Sequence, residues 1–226
     1  RTIDRAELAK KIDHTFLKAD ATETDVLRVC NEALEYGFCC VFVNPCRVKI
    51  AVSAVTQSEV KIGSVLGFPL GATSTRSKIA EAQAIVVDGA TEVDMVINIG
   101  WVKEGNHKRV AEEIQEVRAV VGKEVVLKVI LETVLLSQVE KRLAATLVVD
   151  SGGDFVKTST GLVKGGGATL EDVSLLEEVV GGRGRIKAAG GIRNTQTAIG
   201  MIEAGADRIG TSSGVAILDS LFCETE

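Results

Sequence analysis

The sequence predicts an α/β fold: a single-domain TIM (βα)8 barrel with parallel strands, spanning residues 1–226. Three observations predict it. Short β-rich runs alternate with amphipathic helical stretches about eight times, and strand–helix alternation implies a parallel sheet. Several helical stretches stop at a glycine just before the next strand, as in Tyr36-Gly37-Phe38, Asp88-Gly89-Ala90 and Ala204-Gly205-Ala206. Glycine tolerates the left-handed conformation that ends a helix. The length of 226 residues suits one large core, and closed barrels commonly run to this size as one domain. An open doubly wound sheet is the alternative. It would show phosphate-binding glycines after the first strand, and residues 12–18 contain none.

The eight strand cores are residues 12–15, 39–43, 62–66, 93–97, 125–131, 155–157, 186–188 and 208–210. The helices expected between and after them are residues 25–36, 46–56, 75–88, 107–121, 137–150, 169–180, 194–204 and 214–222. Thr22-x-x-Asp25 is box-like, and Ser137-x-x-Glu140 is a capping box, in which side chains satisfy the first free N–H groups of a helix. Both prolines, Pro45 and Pro69, follow a strand, where a missing N–H does little harm. Glycine is uneven: 15 of 23 lie within residues 152–226. The late βα loops are therefore where backbone approaches a ligand most closely, at the C-terminal face of the barrel.

Composition narrows the function. The chain is 46% hydrophobic and 25% charged, with net charge −5, so no global basic field exists to hold nucleic acid. No apolar run approaches the roughly 18–20 residues a membrane helix needs. Arg1-Thr2-Ile3-Asp4 lacks an apolar signal region, and a start without Met is expected to be a trimmed one. Five cysteines, Cys30, Cys39, Cys40, Cys46 and Cys223, form no C-x-x-C. They predict small buried thiols in a reduced, cytoplasmic protein, with Cys46 away from the site. The two histidines, His14 and His107, are far apart and predict no zinc site; His14 is expected packed and hydrogen-bonded, His107 at the surface. Arg76, Lys78 and Glu81 read as a solvated helix face, and Trp101 as loop packing.

The chemistry is carried by two lysines at strand ends. Lys157 stands in Asp154-Phe155-Val156-Lys157-Thr158-Ser159-Thr160-Gly161, and Lys187 in Arg185-Ile186-Lys187-Ala188-Ala189-Gly190-Gly191. Strand alternation turns both inward, because the outer wall lies under helices. Asp94 sits between apolar neighbours and turns inward as well. Bringing a lysine from about 10.4 to about 7 takes on the order of 5 kcal/mol. A like charge about 4 Å away supplies roughly 4 kcal/mol of this at an effective dielectric of about 20, and desolvation the rest. A neutral amine is a nucleophile for carbonyl compounds. Lys128 also turns inward, either joining the amines or pairing with Asp94 or Glu132. Thr160-Gly161, Gly190-Gly191 and Gly210-Thr211-Ser212-Ser213-Gly214 follow the last three strands. Their N–H groups suit a phosphate, and barrels often hold one after strands seven and eight.

At this level of detail the chain resembles the deoxyribose-phosphate aldolase family, class I aldolases on a TIM barrel. The matching motifs run in order along nearly the whole chain. They are Ile12-Asp13-His14-Thr15, Val43-Asn44-Pro45, Gly67-Phe68-Pro69-Leu70-Gly71, Glu92-Val93-Asp94-Met95-Val96-Ile97-Asn98-Ile99-Gly100 and Lys128-Val129-Ile130-Leu131-Glu132-Thr133, then the two lysine segments and Gly210 with its four followers. The resemblance implies reversible cleavage of 2-deoxy-D-ribose 5-phosphate to D-glyceraldehyde 3-phosphate and acetaldehyde, without metal or cofactor. It implies Lys157 as the Schiff-base lysine, Lys187 as the group that lowers its pKa, and Asp94 as the proton relay through a water. Asp13 and Thr15 would face the sugar hydroxyls. Gly161, Gly190, Gly191, Ser212 and Ser213 would hold the phosphate, and Arg193 would reach that phosphate or a neighbouring acid. A cytoplasmic homo-oligomer, dimer or tetramer, is expected. Two departures stand out: many relatives carry cysteine where this chain has Phe42, and some carry lysine where it has Leu162. Two rival readings are a phosphosugar isomerase on the same barrel and a non-catalytic phosphometabolite-binding barrel. Neither needs a low-pKa amine.

Overall fold

The computed structural model describes residues 3–221. Its strands are β1 (Ile12–Phe16), β2 (Cys40–Val43), β3 (Lys61–Leu66), β4 (Glu92–Val96), β5 (Val126–Ile130), β6 (Phe155–Lys157), β7 (Arg185–Ala189) and β8 (Arg208–Thr211). They pair in parallel in chain order, and β8 returns to β1 to close the barrel. The helices are α1 (Arg5–Ala9), α2 (Glu23–Tyr36), α3 (Val48–Ala54), α4 (Thr75–Val87), α5 (Ile99–Lys103), α6 (His107–Val121), α7 (Gln138–Asp150), α8 (Leu170–Val180), α9 (Thr195–Glu203) and α10 (Gly214–Ser220).

Alternation along the strands divides the core in two. Outward residues such as Val41, Val93, Met95, Leu127, Val129, Val156, Ile186 and Ile209 join Val29, Ile85, Ile114, Val148, Leu176 and Ile217 of the helices in one apolar layer. Burying each such side chain contributes roughly 1.5–3 kcal/mol. The inward positions of the same strands carry Asp13, Phe42, Asp94, Lys128, Phe155, Lys187 and Arg208, all buried. This barrel therefore has charge at its centre, held between two phenyl rings. The helix signals act as read: Thr22 and Ser137 make full capping boxes, and Gly37 ends α2 at φ 70°.

The structure departs from the sequence expectations in several places. Two short helices were not expected. Asp4 and Glu7 cap α1 reciprocally, and the Asn98 side chain accepts from Trp101 N to start α5. Trp101 therefore lies on a helix rather than a loop, with the Arg109 guanidinium 4.3 Å from its ring centroid. Lys78 is not solvated: it is fully buried, 2.7 Å from Glu113 Oε2 of α6 and 2.8 Å from Val96 O. Its position shares a face with Ala82 and Ile85, the spacing of a buried helix stripe. Arg76 is exposed as expected, while Glu81 accepts from Gly67 N at 2.7 Å. Of the thiols, Cys30 and Cys40 are buried, Cys39 is partly buried and Cys46 is exposed. Cys223 and the expected helix end at residue 222 lie outside the described residues. His14 is packed, its Nε2 2.5 Å from Glu32 Oε2, and His107 is exposed.

Candidate active site

The site is built from inward residues of the strands: Lys157 ends β6, while Asp94, Lys128 and Lys187 lie at the middle of β4, β5 and β7. β6 and β7 run in register with Lys157 opposite Lys187, and β4 and β5 with Asp94 opposite Lys128. Asp94 Oδ2 lies 2.7 Å from Lys157 Nζ and 2.8 Å from Lys187 Nζ, while Oδ1 lies 3.2 Å from Lys128 Nζ. One carboxylate thus joins three amines. Lys187 Nζ also lies 2.6 Å from Asp13 Oδ2. Beneath them Arg208 pairs with Asp13 and, at 3.1 Å, with Glu92, which also pairs with Lys128.

Among the described residues this buried network holds four bases, Lys128, Lys157, Lys187 and Arg208, against three acids, Asp13, Glu92 and Asp94. With all seven ionised, an uncompensated positive charge would sit among buried side chains, which is costly. Loss of one proton removes it, and the Lys157 ammonium is destabilised in this way. Burial pulls its ammonium down to about 8, Asp94 opposes the fall, and Lys187 adds to it. Burial, rather than the neighbouring lysine, is thus the leading cause. Burial would push the Asp94 carboxyl up, but Lys128, Lys157 and Lys187 together hold it well below the usual carboxylate range. Burial would likewise pull Lys128 down, yet Asp94, Asp13 and Glu92 keep it firmly protonated. Of the two partners proposed for Lys128, it meets Asp94 and not Glu132, whose carboxylate accepts from Thr160 N at 3.2 Å and from the Thr160 hydroxyl.

Above Lys157 a cavity of about 280 Å³ opens at the C-terminal face. Thr15, Lys157, Gly161, Gly190, Gly191, Arg193 and Ser212 line it, together with Lys18 and Phe68. Asp94 and Lys187 do not line it; they sit directly behind the Lys157 amine. Asp13 is fully buried among cations, below the cavity rather than on its wall. Ser213 also lies off the wall, its N–H donating to Thr211 Oγ1 at 2.9 Å. The glycine loops meet closely: a Cβ on Gly190 would lie 2.9 Å from Gly167 Cα and 3.2 Å from Gly161 Cα. Gly161, Gly190 and Gly191 take φ of 82°, 90° and 80°, a region glycine occupies without strain.

Glu92, Arg208 and Glu132 were missed as site residues from sequence. Glu92 is two residues before Asp94 and so shares its inward face. Arg208 begins a strand, a position that reads as solvent-exposed. Glu132 gives no local signal; it is a buried non-glycine residue at φ 57°, where strain is stored near function. Asp13, Cys40 and Glu92 bring three ligand-type atoms within 4.8 Å. They do not suit a metal ion: both carboxylates are taken by Lys128, Lys187 and Arg208, and burial, then Glu92 and Asp13, keep Cys40 a thiol.

A parallel barrel whose C-terminal cavity ends on a buried amine of lowered pKa offers a nucleophile for carbonyl chemistry. The model described as DeoC/LacD family aldolase matches residues 8–220. The chain belongs to this family of aldolases, which are carbon–carbon lyases. Deoxyribose-phosphate aldolase of Caldicellulosiruptor saccharolyticus is 52% identical over 216 residues, covering 95% of this chain and 98% of that one. That of Thermococcus gammatolerans is 52% identical, covering 94% and 96%. The tetrameric deoxyribose phosphate aldolase of Aeropyrum pernix superposes with TM-score 0.88 at 34% identity, covering 98% of this chain and 94% of that one. No helix among the described residues is long and apolar enough to cross a membrane.

Proposed function

We propose that this aldolase cleaves 2-deoxy-D-ribose 5-phosphate reversibly to D-glyceraldehyde 3-phosphate and acetaldehyde through a Schiff base on Lys157. The observation that carries the reading is the Lys157 amine, lowered to about 8 and placed at the base of the cavity. In its neutral form Nζ adds to the C1 carbonyl of the open-chain sugar. Loss of water gives an iminium, an electron sink. The C3 hydroxyl gives up its proton, the C2–C3 bond breaks, and its electron pair moves to the iminium to form an enamine. Glyceraldehyde 3-phosphate leaves. Protonation at C2 and addition of water then release acetaldehyde and restore the amine. Asp94 and Lys187, held 2.8 Å apart and both behind Lys157, are the groups that exchange these protons, through a water where the distance requires one. The glycine loops after β6 and β7, with Ser212 after β8 and Arg193, suit the distal phosphate. Thr15 and, through Lys187 and Arg208, Asp13 serve the sugar end.

The isomerase and binding-barrel readings do not fit membership of an aldolase family. Residues 1–226 act as one catalytic domain, in a cytoplasmic homo-oligomer like the Aeropyrum tetramer. The test is reduction with borohydride in the presence of acetaldehyde, followed by digestion and mass spectrometry. An ethyl adduct on Lys157 that disappears in Lys157→Leu, along with turnover of the phosphosugar, supports the mechanism. An adduct scattered over surface lysines refutes it. Sedimentation of the untagged chain tests the assembly.

A further inference from the structure

The Phe42 ring lies at the centre of the amine cluster. It is 1% exposed on β2, and its centroid is 3.8 Å from Lys187 Nζ, 4.5 Å from Lys128 Nζ and 5.9 Å from Lys157 Nζ. Three amines from β5, β6 and β7 thus converge on one ring from across the barrel. The ring reaches them because its register partner on β3 is Gly63. A Cβ there would stand 2.4 Å from Phe42 Cζ, so this glycine leaves the space the ring fills. The negative face of a phenyl ring attracts an ammonium, and most strongly where water is excluded.

We propose that Phe42 is a positioning residue for the aldolase reaction: its ring face holds the Lys187 ammonium against Asp94 and seals the barrel beneath Lys157. The proposal rests on the Schiff-base reading of Lys157. Asp94 Oδ2 is shared between Lys157 and Lys187, so the place of one amine fixes the place of the other. The charged groups facing this pair are Asp13 on β1, Glu92 and Asp94 on β4, Lys128 on β5 and Arg208 on β8; β2 adds the Cys40 thiol. All the carboxylates among them already serve two or more cations. The Phe42 ring face is a further partner for the Lys187 ammonium, which lies nearer to it than Lys157 does. The buried ring also fills space beside these amines, and burial is the leading cause of the low Lys157 pKa.

A ring that only fills volume is replaceable by another side chain of similar size. Phe42→Met tests this, because methionine fills space but has no ring face. The measurement is the rate of acetaldehyde trapping at Lys157 by cyanoborohydride, mapped by mass spectrometry across pH. With the ring face gone, Lys187 is held less firmly against Asp94, Asp94 is freer to pair with Lys157, and the Lys157 ammonium gives up its proton less readily. The labelling midpoint is expected to move up by about half a pH unit or more, with trapping near neutrality falling about threefold. Gly63→Ala, which keeps Phe42 but displaces its ring tip, is expected to move the midpoint the same way, and it serves if the methionine variant does not fold. A midpoint and rate in both variants equal to those of the native protein would overturn the proposal and leave Phe42 as core filling. Absence of any Lys157 adduct in the native protein would instead overturn the Schiff-base reading, so the two failures are distinguishable.

Discussion

Replacing Lys157, the proposed Schiff-base lysine, with methionine is expected to abolish turnover and yet stabilise the fold near neutrality. A lysine in the unfolded chain titrates near 10.5, and burial brings Lys157 to about 8 in the folded protein. At about 1.4 kcal/mol per pH unit, the difference is about 3 kcal/mol. The sign follows from proton counts. Between about 8 and 10.5 the unfolded chain holds a proton that the folded protein lacks, so stability rises with pH across that window. Below about 8 the folded protein carries the ammonium in a site that disfavours it, and the whole cost is present. Lys157→Met removes that cost. Asp94 keeps Lys187 at 2.8 Å and Lys128 at 3.2 Å, so no carboxylate is stranded. Urea unfolding of both proteins at about pH 6.5 and about pH 10 measures the effect. The variant should be more stable by up to about 3 kcal/mol at the lower pH and by less than about 1 kcal/mol at the higher. A variant less stable than the native protein at both, or a gap that ignores pH, would refute the reasoning. Lys157 would then be an ordinary cation in its ground state, and burial would not be the source of its reactivity.

Three further outcomes are expected. Asp94→Asn leaves Lys128, Lys157 and Lys187 with one carboxylate fewer; turnover should fall by about 10²–10⁴ and stability by about 3–5 kcal/mol, read by steady-state kinetics and urea unfolding. Activity within tenfold of native would remove Asp94 from the proton path. Gly190→Ala puts a Cβ 2.9 Å from Gly167 Cα at φ 90°; strain of about 1–3 kcal/mol should open the loops and raise KM for the phosphosugar more than it lowers kcat. An unchanged KM would place the phosphate elsewhere. Lys78→Met strands the buried Glu113 and should cost about 3–5 kcal/mol, while Lys78→Met with Glu113→Leu should recover most of that, with kcat little changed throughout. Equal stability of the single and double variants would show that the pair is not coupled.

The barrel is legible in the sequence because its signals are local. Thr22-x-x-Asp25 and Ser137-x-x-Glu140 specify helix starts through side chains three residues apart, and Gly37 specifies an end through its own φ. The same kind of signal announces α1, since Asp4 and Glu7 form a box of the same kind, but a five-residue helix gives too short a periodicity to support it. Lys78 fails for a different reason. Its spacing from Ala82 and Ile85 puts it on the buried face, yet a lysine reads as solvated until its partner is known. That partner, Glu113, is 35 positions away on α6, and no local pattern joins them.

The site divides the same way. Strand parity turns Asp94, Lys128, Lys157 and Lys187 inward, and this much can be read one strand at a time. How the charges share one another depends on barrel closure. Lys187 meets Asp13 only because β8 returns to β1 and carries Arg208 to the other oxygen of the same carboxylate. Read from sequence, the neighbouring lysine looks like the main cause of a depressed amine. In the closed barrel that lysine already has two carboxylates, Asp13 and Asp94, and its repulsion of Lys157 ranks behind burial. A nucleophile made by burial is harder to remove by changing one charge than a nucleophile made by repulsion. The property sits in the whole ring of inward residues, the buried Phe42 and Phe155 among them. It follows that substitutions admitting water to the barrel centre should raise the pH at which Lys157 reacts, even where every charge is kept.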